Sequence, residues 1–202
     1  MRNLVITRSF SPKDYSMPKV LVPLAQGCEE LEAVTVVDLM RRAGITVVTA
    51  GLDNQPVKAS RGVVLIPDMT LDQALQQSFD LIVLPGGLPG ADHLNNDPRI
   101  HKLLQDMYQQ GKYVSAICAA PKVLANAGLL TNKSATSYPG VLEDMKVPQM
   151  RFVDAPVVKD GQVVTSKGPG TAMDFALELI EILVGTSTRQ KVEAGLVRAK
   201  SK

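Results

Sequence analysis

From Lys19 onward the chain alternates short apolar runs with longer segments whose apolar residues recur at helical spacing. Val20 to Ala25 is an almost unbroken aliphatic run, the pattern of a strand buried on both faces. Gln26-Gly27-Cys28 turns the chain, and Glu29 to Ala43 then sets Leu31, Val34, Leu39 and Met40 at helical spacing. Glu29, Glu30 and Glu32 fill the first turn of that helix and Arg41 and Arg42 its last, matching the helix dipole before Gly44 ends it. Ile45 to Ala50 predicts a second strand, Val57 to Pro67 a small antiparallel excursion and Leu71 to Gln77 a short helix. Asp80 to Leu84 predicts a third parallel strand, stopped by Pro85-Gly86-Gly87, and a helix follows from about Pro98 to Gln110. A β-rich run, Lys112-Tyr-Val-Ser-Ala-Ile, then leads into Cys118, followed by a helix-compatible stretch from Lys122 to Ala127. Beyond it come a short strand at Ser134 to Ser137 and a hairpin from Val153 to Ser166 that turns at Asp160-Gly161. Gly168-Pro169-Gly170 opens a strong helix from Thr171 to Val184, and Arg189 to Arg198 is a last amphipathic segment.

Strands alternating with helices predict an α/β fold, a doubly wound and mostly parallel sheet with helices on both faces. Residues 1–16, punctuated by Ser9, Ser11, Pro12 and Ser16, read as a flexible N-terminal arm, and residues 17–202 as a single domain. The length of 202 residues and a hydrophobic share of 45% suffice for one substantial core, and 4% aromatics make its packing aliphatic. Charge excludes more than it suggests. The 22 basic and 20 acidic residues are well mixed, so no basic stripe for nucleic acid is expected. The sequence has no apolar run long enough for a membrane span, and its two cysteines make no disulfide framework. A cytoplasmic, reducing setting is the expectation, with Cys118 a free thiol.

Ligands of such a sheet collect at the carboxyl ends of its strands. There the chain carries Cys28 with Glu29, Glu30 and Glu32, then Gly86-Gly87, then Cys118. Cys118 falls on a strand-to-helix turn among small residues, the position of a nucleophile on an elbow, where a helix N-terminus favours the thiolate. Gly86-Gly87 lets backbone N–H groups turn toward a reacting carbonyl, and with the N–H of Ala119 they would form an oxyanion site. Glu32 lies one turn into the first helix. A carboxylate and a thiolate side by side cannot easily both ionise, so Glu32 is expected to keep its proton and to shuttle it. Glu29 reads as a helix cap, and Glu30 divides evenly between capping and chemistry. Neither His93 nor His101 adjoins Cys118, so a Cys–His dyad has no evident base, and the cysteines and histidines show no metal spacing. Cys28 reads as packing. Arg61 is a candidate anion contact near the crevice mouth, or else a solvated side chain. Asp38 and Arg42 suit an ion pair.

These residues carry a resemblance. Gly27-x-Glu29-Glu30-x-Glu32, Leu84-Pro85-Gly86-Gly87, Ala116-Ile117-Cys118-Ala119-Ala120-Pro121 and Thr165-Ser-Lys-Gly168-Pro169-Gly170-Thr171 resemble the ThiJ/PfpI superfamily. The similarity runs from about Pro18 to the last helix and falls in the branch of the parkinsonism-associated protein deglycase and its bacterial relatives. It implies a flavodoxin-like three-layer α/β/α sandwich, a homodimer and no cofactor. It implies Cys118 as nucleophile, Glu32 as its protonated partner and Gly86, Gly87 and Ala119 as the oxyanion site. Arg61 corresponds to a family arginine, and Pro169 to a loop bordering the site. Two departures matter: Ala119 stands where the protease-like branch has histidine, and Tyr138 where some members place one near the thiol. A tyrosine is no base near neutral pH, so proton transfer falls on Glu32.

The leading expectation is therefore a cofactor-independent cysteine enzyme acting on reactive dicarbonyls and on early glycation adducts of proteins or nucleotides. The alternative is a redox-sensing chaperone in which Cys118 is oxidised to sulfinic acid with little catalysis. An amidotransferase-like hydrolase would need a histidine on the crevice, and none is expected there.

Overall fold

In the computed structural model, which describes residues 17–199, the first aliphatic run is strand β1, Lys19–Leu24, buried from Val20 onward. The arm expected at residues 1–16 lies outside the described residues. Helix α1 (Glu30–Arg42) leads to β2 (Thr46–Gly51), the short strands β3 (Val57–Lys58), β4 (Val64–Leu65) and β5 (Met69–Thr70), and helix α2 (Leu71–Ala74). Then come β6 (Leu81–Leu84), α3 (Gly90–Asn96), α4 (Pro98–Gln109), β7 (Tyr113–Ile117) and α5 (Pro121–Asn126). Strands β8 (Ser134–Ala135), β9 (Arg151–Phe152), β10 (Val157–Asp160) and β11 (Val163–Ser166) precede the closing helices α6 (Ala172–Val184) and α7 (Thr186–Gly195).

The main sheet has seven strands in the order β10-β11-β7-β6-β1-β2-β5. All neighbours are parallel except β10 and β11, which pair antiparallel from Val157–Ser166 to Asp160–Val163. The expected excursion is the small antiparallel β3–β4 ribbon, outside the main sheet. The chain steps from β1 outward to β2 on one side and later from β6 to β7 on the other. Right-handed crossovers then send the intervening helices to opposite faces. Accordingly α1 packs with α6, which packs in turn with α7, while α3 packs with α4 and α5. This is the three-layer sandwich expected from the sequence.

Asp80 aligns the strands. Its N–H donates to the Lys19 carbonyl (2.8 Å), its carboxylate accepts from the Lys19 N–H (2.9 Å), and its carbonyl accepts from the Tyr113 N–H (3.1 Å). With the amino ends of β1, β6 and β7 tied there, their carboxyl ends come out level at the other edge of the sheet.

Helix α1 departs from the expected phase. Leu31 and Val34, read as part of the core stripe with Leu39 and Met40, are 50% and 49% exposed. The buried stripe is Ala33, Val36, Leu39 and Met40, and it carries the Glu32 carboxyl inward with it. The helix has a second apolar strip, and the sequence read the two as one.

Candidate active site

The strand order reverses between β6 and β1, and ligands of open α/β sheets gather outside the carboxyl ends at such a switch point. Three chain segments meet there: the turn after β1, Pro85-Gly86-Gly87 after β6, and Cys118 after β7. Cys118 has φ 63°, a left-handed conformation that a residue with a Cβ adopts at a cost of roughly 1–2 kcal/mol. The elbow is clamped on both sides. Its N–H donates to the Ser166 carbonyl (3.0 Å), continuing the β7–β11 ladder, and its carbonyl accepts from the Tyr138 N–H (2.9 Å). Pro121 starts α5 immediately afterwards, and the side chain is left 8% exposed.

Glu32 is fully buried. Its Oε2 accepts from the Gly86 N–H (2.8 Å), and the Gly86 carbonyl accepts from the Glu29 N–H at the start of α1 (2.9 Å). Both backbone polar groups of Gly86 are thus held by the first turn of α1. The two glycines permit this approach. A Cβ on Gly86 would stand 2.7 Å from the Cys118 Cβ and 2.9 Å from both the Ala119 nitrogen and Glu32 Oε2. Gly87 has φ 83°, and a Cβ there would meet the Glu29 nitrogen at 2.4 Å. The peptide N–H groups of Gly87 and Ala119 then hydrogen-bond toward the Cys118 sulfur.

The thiol and carboxyl control each other's protonation. Burial pushes Glu32 from its ordinary 4.5 up to about 7, against the hydrogen bonds from Gly86 and Cys118 that favour its charge. Burial and the Glu32 charge push the Cys118 thiol up as well, opposed by the N–H groups of Gly87 and Ala119. The helix N-terminus expected to favour the thiolate is outweighed by burial, and α5 is only six residues long. The pair therefore gives up one proton near neutrality and resists losing the second, and the single negative charge rests on sulfur only while Glu32 holds the remaining proton. Glu32 Oε1 is buried without a hydrogen-bond partner, a position free to give or take that proton.

The remaining candidates fall into place less evenly. Tyr138 is tied to the elbow through its backbone. Its ring reaches Gly168, in the loop that also carries Pro169, and more than half of its surface faces solvent. Arg61 is exposed, and the contacts that hold it are backbone ones: its N–H donates to both oxygens of Glu30, at 2.9 and 3.1 Å. Its guanidinium is not among the groups that perturb Cys118 or Glu32. Glu30 thus acts as a clamp on the β3–β4 ribbon. Burial works against its charge, but bonds from its own N–H, Ser60, Arg61 and Val63 prevail and hold it below the ordinary carboxylate range. Ser60, absent from the sequence reading, links the ribbon to both Glu29 (2.8 Å) and Glu30 (3.0 Å). No spacing along the chain signals that contact.

Cys28 is fully buried, and burial pushes its thiol up to about 11. His93 is exposed on α3, and His101 bonds the Asn95 carbonyl on the flank of the sheet. Asp38 and Arg42 form the expected pair at 2.7 Å. Among the described residues no three His, Cys, Asp or Glu side chains converge as metal ligands. A cleft of about 570 Å³ between Ala25, Leu52, His93 and Arg99 does not include Cys118.

The sequence profile of the DJ-1/PfpI family matches residues 18–182. The chain is 44% identical over 180 residues to the Drosophila melanogaster protein dj-1beta, covering 89% of this chain and 96% of that one. The crystal structure of Drosophila melanogaster DJ-1beta superposes with a TM-score of 0.87 at 43% identity, over 92% of this chain and 100% of that one. A Caenorhabditis elegans relative, named glutathione-independent glyoxalase DJR-1.2, is 35% identical over 181 residues, 90% of this chain and 96% of its own.

Proposed function

Since the chain belongs to the DJ-1/PfpI family, we propose that it is a cofactor-independent glyoxalase that converts reactive 2-oxoaldehydes to 2-hydroxy acids at Cys118. The observation that carries this reading is the strained elbow thiol joined to a buried carboxyl that titrates near neutrality. The glyoxalase name of the Caenorhabditis elegans relative supports it.

In methylglyoxal the Cys118 thiolate attacks the aldehyde carbon. The Gly87 and Ala119 N–H groups receive the developing oxyanion, and Glu32 delivers its proton to that oxygen, completing a hemithioacetal. Glu32, now a carboxylate, removes the proton from the former aldehyde carbon to give an enediol and returns it to the neighbouring carbon. The product is a thioester of lactate, which water hydrolyses, releasing lactate and regenerating the thiol. Methylglyoxal and one water thus become lactic acid with no net oxidation. A group that must be acid and then base works best with a pKa near the operating pH, which is where burial holds Glu32. On a hemithioacetal or aminocarbinol, the Cys118–carbon bond would form as the adduct's own carbon–sulfur or carbon–nitrogen bond breaks and Glu32 protonates the departing thiol or amine, which would reverse early glycation of proteins and nucleotides.

Steady-state conversion of methylglyoxal to lactate tests the reading. Wild type should turn over without glutathione, and Cys118→Ser and Glu32→Gln should each lose at least about a hundredfold in kcat/KM. Unchanged turnover in Cys118→Ser refutes it.

Redox sensing has its own support. An oxygen added to the sulfur would find the unpartnered Glu32 Oε1 nearby as a hydrogen-bond partner. Homodimer formation is supported by the surplus apolar strip on α1. Val34 and Val37 share a groove of about 290 Å³ with Leu65 and Ile66, and Ile66 is 83% exposed. A surface of this kind is costly to leave in water.

A further inference from the structure

Glu29 occupies the N-cap position of α1 with an extended backbone (φ −79°, ψ 110°), yet its side chain makes no capping bond. The cap expected from the sequence is therefore not the role of this carboxylate. Its Oε2 accepts instead from Ser60 Oγ, on the turn of the β3–β4 ribbon, at 2.8 Å. The same hydroxyl stands 3.0 Å from Glu30 Oε2, and a serine has one proton to donate. Glu30 already receives the Arg61 N–H at 2.9 and 3.1 Å, whereas Ser60 is the only side-chain or backbone donor to the Glu29 carboxylate among the described residues. Ser60 is itself fixed, because its N–H donates to the Cys28 carbonyl at 2.8 Å. The ribbon thus tethers Glu29, and the tether sets it beside Glu32. Residues three apart at a helix start are neighbours, with Cβ atoms about 5–6 Å from each other, and like charges there repel. Other charged groups near Glu32 are engaged or do not reach it. Glu30 faces the ribbon, and on α6, which packs against α1, Asp174 and Glu181 pair with Arg198 and Arg189. Cys28 holds its proton, and Lys58, Arg61 and Glu178 are not among the groups that perturb Glu32, whereas Glu29 is.

We propose that Glu29, tethered by Ser60, is a positioning residue whose fixed negative charge holds on the pair the proton that Glu32 and Cys118 share. The inference rests on that pair being the reactive unit, and it deepens the glyoxalase reading by naming what sets the pH at which the site works. Two like charges about 6 Å apart move an ionisation by about 0.5 pH unit in water and by about 2 at an effective dielectric of 20. Glu29 lies between those limits, half-buried at the mouth of the site.

The pH dependence of Cys118 alkylation by iodoacetamide, followed by peptide mass mapping, tests it in Glu29→Gln, Ser60→Ala, Ser60→Thr and the Glu29→Gln/Ser60→Ala double variant. Glutamine keeps an acceptor for Ser60 and removes only the charge. In Glu29→Gln the inflection should fall below the wild-type value near 7 by about 0.5–2 pH units. Ser60→Ala should lower it by less, because an untethered carboxylate turns out into water, and Ser60→Thr should restore the wild-type profile. The double variant should match Glu29→Gln, since the tether has no charge left to hold. A merely structural role would change the rate at every pH and leave the inflection in place. An inflection in Glu29→Gln within about 0.2 pH unit of wild type, or a Ser60→Ala effect that adds in full to that of Glu29→Gln, overturns the proposal. Methylglyoxal turnover is measured on the same proteins. A wild type that turns over no methylglyoxal while the inflection still falls in Glu29→Gln sinks the glyoxalase reading and leaves the role of Glu29 standing.

Discussion

Replacing Glu32 with Gln keeps the side chain's shape and an acceptor for the Gly86 N–H but removes the charge. In the folded protein burial moves Glu32 from 4.5 to about 7, so between those values the native state holds a proton that the unfolded chain has released. The stabilisation this proton brings is complete below pH 4.5 and is lost as pH rises through 7. At about 1.36 kcal/mol per pH unit, the interval from 4.5 to about 7 is worth roughly 3 kcal/mol. Glu32→Gln has no such dependence, and all other titrating groups are common to both proteins. Relative to wild type, the variant should therefore gain about 3 kcal/mol between pH 4.5 and pH 8. Urea unfolding under reductant, at half-unit steps across that range, measures the difference directly. A difference that stays flat within about 0.5 kcal/mol would mean that Glu32 ionises at its ordinary pKa and that burial at the foot of the elbow has been misjudged.

Three further outcomes follow from the same geometry. Gly86→Ala puts a methyl 2.7 Å from the Cys118 Cβ, and it should cost about 1–3 kcal/mol in thermal unfolding and at least about tenfold in methylglyoxal turnover. Val34→Asp sets a charge in the apolar groove with Ile66, and sedimentation velocity should show self-association weakened at least about tenfold; an unchanged dimer would move the interface elsewhere. Mild peroxide should add two oxygens to Cys118 before Cys28, which is fully buried with its thiol pushed up to about 11, and intact-peptide mass spectrometry reads the order.

Much of the site is legible in the sequence because local rules suffice for it. A β-rich run, a thiol, small residues and a proline can hardly be arranged otherwise than as a strand-to-helix elbow. Glu32, one turn into the first helix, can face inward at the same edge. The Gly86-Gly87 pair after a buried strand marks a close approach of backbone to something. What the sequence hides is set by tertiary packing. Helix α1 offers two apolar strips, and only the position of α6 decides that Ala33 and Val36 go inward while Leu31 and Val34 stay out. Arg61 carries a charge that draws the eye, yet its backbone N–H makes the contact, with Glu30 as receiver. The two-residue strand β5 is too short for any periodicity to report, and it exists because Ala50 and Gly51 offer it an edge. The thiol's environment was misjudged for a related reason. A helix end is visible in a sequence, whereas the burial that opposes it is not.

Everything proposed for this site requires that Cys118 and Glu32 share one proton that leaves near neutral pH. The pH dependence of Cys118 alkylation by the uncharged reagent iodoacetamide, in wild type and in Glu32→Gln, tests it most directly. Wild type should gain reactivity through an inflection near 7 and then level off, because the second proton is held by the charge of the first ionisation. In Glu32→Gln the inflection near 7 should be gone. A single inflection at the free-thiol value of about 8.5 in both proteins would contradict the account, leaving Cys118 an ordinary cysteine that merely lies beside a carboxyl.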